Sequence, residues 1–284
     1  MIHVIIPTFN RLNYTITCLN SLKRQDNSKE LNIIVVDDRS TDGTKKYLKK
    51  NFPKITILSG TGSLFWGGAV HYGINYVLKI SQFHDWILLV NNDVELSSDA
   101  ISNLLIAAEK KKRKALVGSL TVNAYDRETV IKSGTVVQSW FFNKTKHIFE
   151  EKKISQIFNK NPLKVDFLTG RCLLHPIEIF KKVNNYDAKR FNHYGADDEF
   201  SMRVKKYGYS TLLCPSSVVF LKKNELVLST KKNIKSFFFH FFSVRSSSNI
   251  INKFRLTIHV VPFYAKITFF LIGILKSIYI YFKK

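Results

Sequence analysis

Along the first hundred positions, apolar residues follow two rhythms that alternate. Val4–Pro7, Asn32–Val36, Lys54–Leu58 and Trp86–Val90 are short runs of strand character, and Asn32–Val36 is unbroken and β-branched, as a strand buried on both faces should be. Helical periods lie between them. Asn13–Lys23 puts Ile16, Leu19 and Leu22 on one face; Asp42–Asn51 follows, then Gly67–Ile80, entered through a glycine-rich turn. Ser97–Lys112 ends in a basic turn, where the helix dipole favours cations. Strands alternating with helices predict an α/β fold with a mostly parallel sheet and flanking helices. From Ala115 to Leu221 the texture is mixed: strands at Ala115–Leu120, Val165–Leu168 and Thr211–Cys214, short helices at Pro176–Lys182 and Asp198–Lys206. This extends the same domain, which is expected to cover residues 1–221.

After Lys222 the chain becomes basic and aromatic, so residues 222–284 are set apart as a tail. The tail carries twelve Lys/Arg against one acid, Glu225, whereas the first 221 residues carry 32 basic and 20 acidic side chains within a chain of net charge +23. Phe237–Phe242 places five phenylalanines around His240, and Ile267–Phe282 is apolar apart from Lys276 and Ser277. That apolar run falls short of the roughly twenty residues a spanning helix needs. Aromatic and aliphatic residues interleaved with Lys/Arg predict amphipathic helices lying on an anionic membrane surface. The competing reading is a helical layer that packs on the domain or on a second copy, as in a homo-oligomer. No zinc spacing, recognition helix or RNA-binding sheet signature accompanies the charge, so nucleic acid is the weaker partner.

The hydrophobic share of 45% supports a core without staples. Cys18, Cys172 and Cys214 are odd in number and widely spaced, as buried thiols in a reducing compartment are. A strand-like run from Ile2, without a basic leader or a cleavage site, predicts a cytoplasmic location at the inner face of the cell membrane.

Ligands of open parallel sheets bind where the strands end. Three strand ends here carry polar groups: Pro7-Thr8-Phe9-Asn10-Arg11, then Asp37-Asp38-Arg39-Ser40-Thr41-Asp42-Gly43-Thr44, then Asn91-Asn92-Asp93. If the strands are neighbours, two carboxylate clusters face one crevice, which suits a base, a sugar hydroxyl or a metal-borne diphosphate. Each loop alone reads as capping chemistry, with Thr41 or Asp42 as the N-cap. A fourth stretch, His193 to Arg203, opens a helix with Asp197, Asp198 and Glu199. Carboxylates suit a helix N-terminus, and crowded carboxylates also make a general base.

Taken in order, these segments resemble glycosyltransferase family 2, the inverting enzymes of GT-A fold that take nucleotide-sugar donors. Val4–Arg11 resembles the family's opening strand and loop, and Val35–Thr44 its nucleotide-binding segment VVDDGSTDGT. Leu88–Asp93 resembles its metal-binding DxD position, and Gly195–Arg203 the helix start that supplies the base. The resemblance implies that Asp38 contacts the nucleoside base with Pro7, Thr8, Asn10 and Arg11 nearby, and that Asn91 and Asn92 border the donor. It implies that Asp93 holds Mg²⁺ or Mn²⁺, and that Asp197, six residues before Arg203, is the base. Gly67 and Gly68 lie in a segment, Gly62–His71, that resembles a subgroup in which a glycine-rich turn and aromatics border the donor; there His71 stands where Asn is common, and it also reads as a hydrogen-bonded helix residue. Arg171, in Thr169–Cys172, and Asp198 fall on the acceptor side, where Arg171 would meet a lipid-linked diphosphate or else make a surface salt bridge. The motif Asn91-Asn92-Asp93 supplies a single carboxylate, and Ala196 replaces a common Glu. The implied activity is transfer of a hexosyl or rhamnosyl group from a UDP- or dTDP-sugar to a glycan or polyprenyl-diphosphate-linked acceptor in bacterial surface polysaccharide synthesis. Two alternatives stand beside it: a nucleotide-sugar-binding protein without catalysis, and a basic nucleic-acid-binding α/β protein.

Overall fold

The computed structural model describes residues 1–158, 160–222 and 233–283. The chain opens with β1 (Ile2–Thr8), α1 (Leu12–Lys23), β2 (Leu31–Asp37), α2 (Thr44–Asn51), β3 (Thr56–Ser59), α3 (Phe65–Ile80) and β4 (Trp86–Val90). Next come β5 (Val94–Leu96), α4 (Ala100–Glu109), β6 (Ala115–Asn123), β7 (Gly134–Ser139), β8 (Lys144–His147), β9 (Leu163–Lys164), β10 (Phe167–Leu168) and β11 (Cys172–Pro176). The remainder is α5 (Ile179–Val183), α6 (Ala196–Lys206), β12 (Ser210–Leu221), α7 (Ile234–Phe242), α8 (Ile250–Val260) and α9 (Lys266–Lys283).

Among the described residues a nine-stranded sheet runs β3-β2-β1-β4-β11-β6-β12-β5, with β9 beside β12. The β3, β2, β1 and β4 half is parallel, as the alternating pattern predicts, and β6 and β12 are also parallel. Between the two halves sits β11, antiparallel to both β4 and β6. It is missing from the sequence reading, which takes Pro176 into a helix; Pro176 ends β11 opposite Trp86, and α5 begins only at Ile179. A second sheet, β10-β7-β8, is also unanticipated: its outer strand is the exposed, lysine-rich Lys144–His147, whose composition carries no strand signal.

Successive residues of each central strand feed opposite cores. Ile5, Ile34, Val36 and Leu89 pack with Val70, Ile74 and Val77 of α3 and with Phe200 and Val204 of α6. Val4, Ile6, Val35 and Leu88 pack with Cys18, Leu19 and Leu22 of α1 and with Ile101 and Leu104 of α4. All three cysteines are buried and unpaired, and burial pushes the Cys172 thiol up to about 12, as befits an inert core residue.

Helix α6 is fixed from two sides. Tyr186 stacks on Phe200 with ring centroids 4.1 Å apart and shares a 2.9 Å hydrogen bond with His175, whose pKa burial lowers to about 4, leaving it neutral at pH 7. Arg203 donates to both Glu199 oxygens, at 2.7 and 2.9 Å, and to the Asn185 carbonyl at 3.1 Å. The third acid of the 197–199 triplet is thus a structural anchor for the helix.

The tail packs on the domain along one face. Arg255 of α8 donates to the Arg190 carbonyl at 2.8 Å, and Phe191 meets His259 edge-on. On α9, Phe269 contacts Trp140, and the Phe269 carbonyl accepts from Asn143 at 2.9 Å. Helical structure from Phe263 to Lys283 is 21 residues long, longer than the apolar run suggests, and is long and apolar enough to cross a membrane by length and composition. Residues 223–232 and Lys284 of the expected tail lie outside the described residues.

One close approach ties α3 to the segment that leads into α6. The Gly67 amide donates to the Asn192 carbonyl at 2.8 Å, and a Cβ at Gly67 would stand 2.2 Å from the Phe191 carbonyl oxygen. Because that obstacle is backbone, it cannot rotate aside. Gly67→Ala is expected to cost ~1–3 kcal/mol in urea unfolding. A variant as stable as the parent would show that the two segments do not meet this closely.

Candidate active site

The loops after β1 and β2 are stapled together by side chains. Asn10 donates its amide to Ser40 Oγ at 2.9 Å, and its side-chain oxygen accepts from the Thr41 amide at 2.7 Å. Asp42 accepts from the Leu12 amide at 2.9 Å and from the Thr44 amide at 3.1 Å, so one carboxylate serves the starts of both α1 and α2. Burial would raise its pKa, but the hydrogen bonds from Thr44 and Leu12 prevail and hold it below the usual range. The N-cap of α2 is Gly43, at φ 84° and without a side-chain cap bond, and not Thr41 or Asp42 as expected; Asp42 holds the Thr44 amide from one residue further back, while Thr41 donates to Asn10.

Asp38 is buried at the end of β2, and its two oxygens accept from the Gly62 amide at 2.6 Å and the Leu64 amide at 2.9 Å. It thereby shapes the turn that precedes α3. Asn10, Arg39 and Phe65 all hold positive φ, at 50°, 60° and 53°. Such conformations in non-glycine residues cost of order 1–3 kcal/mol and gather where a ligand site dictates the backbone. Here they mark the three loops around the same strand ends.

The ends of β4 and β11 meet next. Cys172 pairs with Val90, and the Asn91 amide donates to the Arg171 carbonyl at 2.9 Å, which sets Gly170-Arg171 beside Asn91-Asn92-Asp93. The Asn91 side chain accepts from the Trp66 indole at 2.8 Å, and Trp66 lies so close to Gly170 that a Cβ there would be 2.1 Å from the ring. Asp93 accepts from Arg11 at 2.9 Å through Oδ2; its Oδ1 is buried without a hydrogen-bond partner. Asp197, at the start of α6, accepts from the Gly170 amide at 3.3 Å and from the Asp198 amide at 3.1 Å. Burial draws the Arg171 pKa down, and the carboxylates of Asp93 and Asp197 both oppose that shift. The Arg171 guanidinium itself donates to the Lys132 carbonyl.

Burial raises the Asp197 pKa, against the hydrogen bonds from Gly170 and Asp198 and the Arg171 charge. Burial, then the Asp197 charge, raises that of Asp198. The two titrate as a pair whose first proton binds more readily than that of an isolated carboxylate. Asp198 lines a cavity of about 210 Å³ together with Trp140, His147, Phe167, Leu256 and Phe269. Its walls come from the small β10-β7-β8 sheet and from the tail helices α8 and α9.

Several residues expected at the donor are engaged in packing and hydrogen bonds within the domain. The Thr8 and Asn92 side chains are buried against Thr15 of α1, with Asn92 donating to Thr15 Oγ1 at 3.1 Å. Pro7 is part of β1, opposite Val36. Gly67 serves the contact with Phe191 and Asn192, and Gly68 packs on Leu64. His71 shares a 2.7 Å hydrogen bond with the Tyr186 carbonyl and is a structural helix residue. Two neighbours of the site carry no individual sequence signal. One is the His193 ring, which has a buried Nδ1 without a partner; the other is Arg245, which lies 5.9 Å over Phe65. Burial and then the Arg245 and Arg11 charges lower the His193 pKa, favouring the neutral ring.

A divalent cation fits this corner only as part of a larger complex. Among the described residues no group of three His, Cys, Asp or Glu could cage an ion. The unpartnered Asp93 Oδ1 can take one cation position, and the remaining ligands would come from phosphate oxygens and water, as is usual for Mg²⁺ on nucleotides.

Comparison with known proteins agrees with this architecture. N-acetylglucosaminyl-diphospho-decaprenol L-rhamnosyltransferase of Mycobacterium tuberculosis is 24% identical over 208 residues, covering 67% of this chain and 66% of the relative. The GalNAc(5)-diNAcBac-PP-undecaprenol β-1,3-glucosyltransferase of Campylobacter jejuni is 24% identical over 250 residues, 82% of this chain and 77% of its own. The chain therefore spans just under two thirds of the mycobacterial relative's length. The crystal structure of GalNAc-T7 with UDP, GalNAc and Mn²⁺ superposes with a TM-score of 0.66 at 14% identity, covering 91% of this chain and 48% of that one. The fold is GT-A, its curled mixed sheet joined to an apolar C-terminal helix. Residues 3–183 match glycosyl transferase family 2, and the chain, with its strand-end loops in the family's order, belongs to that family.

Proposed function

We propose that this chain transfers a sugar from a nucleoside-diphosphate donor to a hydroxyl of a lipid-linked glycan, with inversion, in bacterial surface polysaccharide synthesis. The observation that carries this reading is that the β4–β11 pairing sets Asn91 and Asp93 beside Gly170, whose amide donates to Asp197. A candidate metal-side carboxylate and a candidate base are thus brought to one edge of the sheet. The names of the relatives, which act on decaprenol- and undecaprenol-linked diphosphate glycans, support the acceptor class.

In the proposed reaction Asp197 takes the proton of the acceptor hydroxyl as that oxygen attacks the anomeric carbon. The bond from that carbon to the diphosphate oxygen breaks in the same displacement, and the nucleoside diphosphate leaves with the electron pair. The raised pKa of the acid pair gives Asp197 a stronger affinity for that proton than an ordinary carboxylate has. Arg11 and Arg171 bring positive charge to the side on which the diphosphate becomes more negative. Asp93 would hold Mg²⁺ or Mn²⁺, which when bound neutralises diphosphate charge. Asp38 acts through the turn it fixes, holding Gly62 to Leu64 as the wall beside the nucleoside; UDP or dTDP is the proposed carrier and a hexosyl or rhamnosyl group the cargo. The aromatic cavity beside Asp198 takes the acceptor sugar, since rings such as Trp140 and Phe167 bury the apolar face of a pyranose while Asp198 and His147 reach its hydroxyls. The basic tail lies on the inner leaflet of the cell membrane, with the apolar side chains that remain exposed on α7 and α9 turned to lipid.

Asp197→Asn is expected to lower kcat by a factor on the order of 10²–10⁴ while donor affinity stays within about twofold. Transfer kinetics and calorimetric donor titration measure the two separately. Equal loss of both would move the base elsewhere. Asp93→Ala is expected to make donor affinity insensitive to Mn²⁺. Donor binding that remains metal-strengthened in this variant would remove Asp93 from the metal site.

A further inference from the structure

A second cavity, of about 320 Å³, lies between the turn before α6 and helix α8. Lys189 and Arg190 come from the turn; Phe254, Arg255, Ile258 and His259 come from α8. No acid lines it. Asp187 pairs with Arg190 at 2.5 Å, but Lys189 and Arg255 have no carboxylate partner among the described residues. Two uncompensated cations are thus held in one recess.

The rim has the opposite character. Phe254 and Ile258 remain 51% and 43% exposed, and Phe263 and Ile267, just beyond α8, are 91% and 77% exposed. Phe254 also meets Phe270 with ring centroids 5.7 Å apart, which joins the rim of the cavity to α9. An exposed Lys189 and a half-buried Arg255 beside an exposed apolar edge match the layering of a bilayer surface, where phosphate lies at the boundary of the acyl region. A soluble phosphate has no use for the apolar edge. Nucleic acid would need a basic track with stacked bases, and the basic residues here gather at one short recess instead.

We infer that this cavity binds the phosphate headgroup of an anionic phospholipid, with Lys189 and Arg255 holding the phosphate and Phe254 and Ile258 entering the interface. The inference rests on the proposed membrane docking and gives it a specific site. It also carries a consequence for transfer. Lys189 and Arg190 lie eight and seven residues before Asp197, so a captured headgroup fixes the start of α6 relative to the membrane surface. The acceptor's sugar is then met at a set height above the lipid that carries it.

The test uses the full chain, with sedimentation on vesicles of phosphatidylcholine alone and of phosphatidylcholine mixed with phosphatidylglycerol. The wild type is expected to bind the anionic vesicles selectively. The double variant Lys189→Gln/Arg255→Gln is expected to lose at least about tenfold in partition coefficient, given what each basic side chain contributes near an anionic surface. Its affinity for the nucleotide-sugar donor is expected to be unchanged, and Lys189→Arg/Arg255→Lys, which keeps both charges, is expected to restore vesicle binding. Wild type that binds but a double variant that binds equally well would overturn the pocket and leave membrane docking standing. Wild type indifferent to phosphatidylglycerol would overturn both, without touching glycosyl transfer. Release of the wild type by millimolar inorganic diphosphate, at constant ionic strength, would assign the recess to a soluble anion and also overturn the inference.

Discussion

Everything at the site depends on one backbone pairing, β11 against β4. In a wholly parallel sheet the residues after β4 would face only other strand ends of the same half. Inserting β11 in the opposite direction brings the residues that precede it, Gly170 and Arg171, to the same edge as Asn91 and Asp93. Gly170 then offers its amide to Asp197. The absence of a Cβ at Gly170 lets Trp66 lie flat against this junction while its indole holds Asn91. Two halves of the chain that are a hundred residues apart in sequence become one pocket by this means.

Around that junction the polar side chains act mostly on backbone. Asp38, Asp42 and Asn10 each satisfy amides in neighbouring loops, and the left-handed conformations at Asn10, Arg39 and Phe65 persist because those hydrogen bonds hold the loops. These loops place Asp93 Oδ1, which has no hydrogen-bond partner, and Asp198, which lines the cavity, before any ligand arrives. Preorganisation of this kind lets charge develop in a reaction without a large rearrangement of the protein. The tail belongs to the same design. Phe269 and Leu256 close the cavity beside Asp198 from one face of the tail helices, while their other face stays exposed.

Much of this was legible in the sequence where local physics decides. Periodicity located the parallel half, because strands buried on both faces and helices buried on one leave distinct apolar rhythms. The order of the strand-end motifs marked the family. What could not be read was long-range. Cys172–Pro176 is too short and too close to a proline to announce a central strand, and only its partners on both sides make it one. For the same reason the sequence could not tell that Thr8 and Asn92 turn inward to Thr15, or that Gly67 is required by the Phe191 carbonyl. Glu199 reads like its acidic neighbours, yet the i,i+4 position of Arg203 converts it into a helix anchor. Motif residues therefore divided into those that meet the crevice and those that build it.

The most direct measurement is a calorimetric titration of the purified chain with UDP-, GDP- and dTDP-sugars, each in Mn²⁺ and again in EDTA. Saturable binding of one nucleotide class, tightened by Mn²⁺, is the result this account predicts. Binding of none of them in either condition would contradict it.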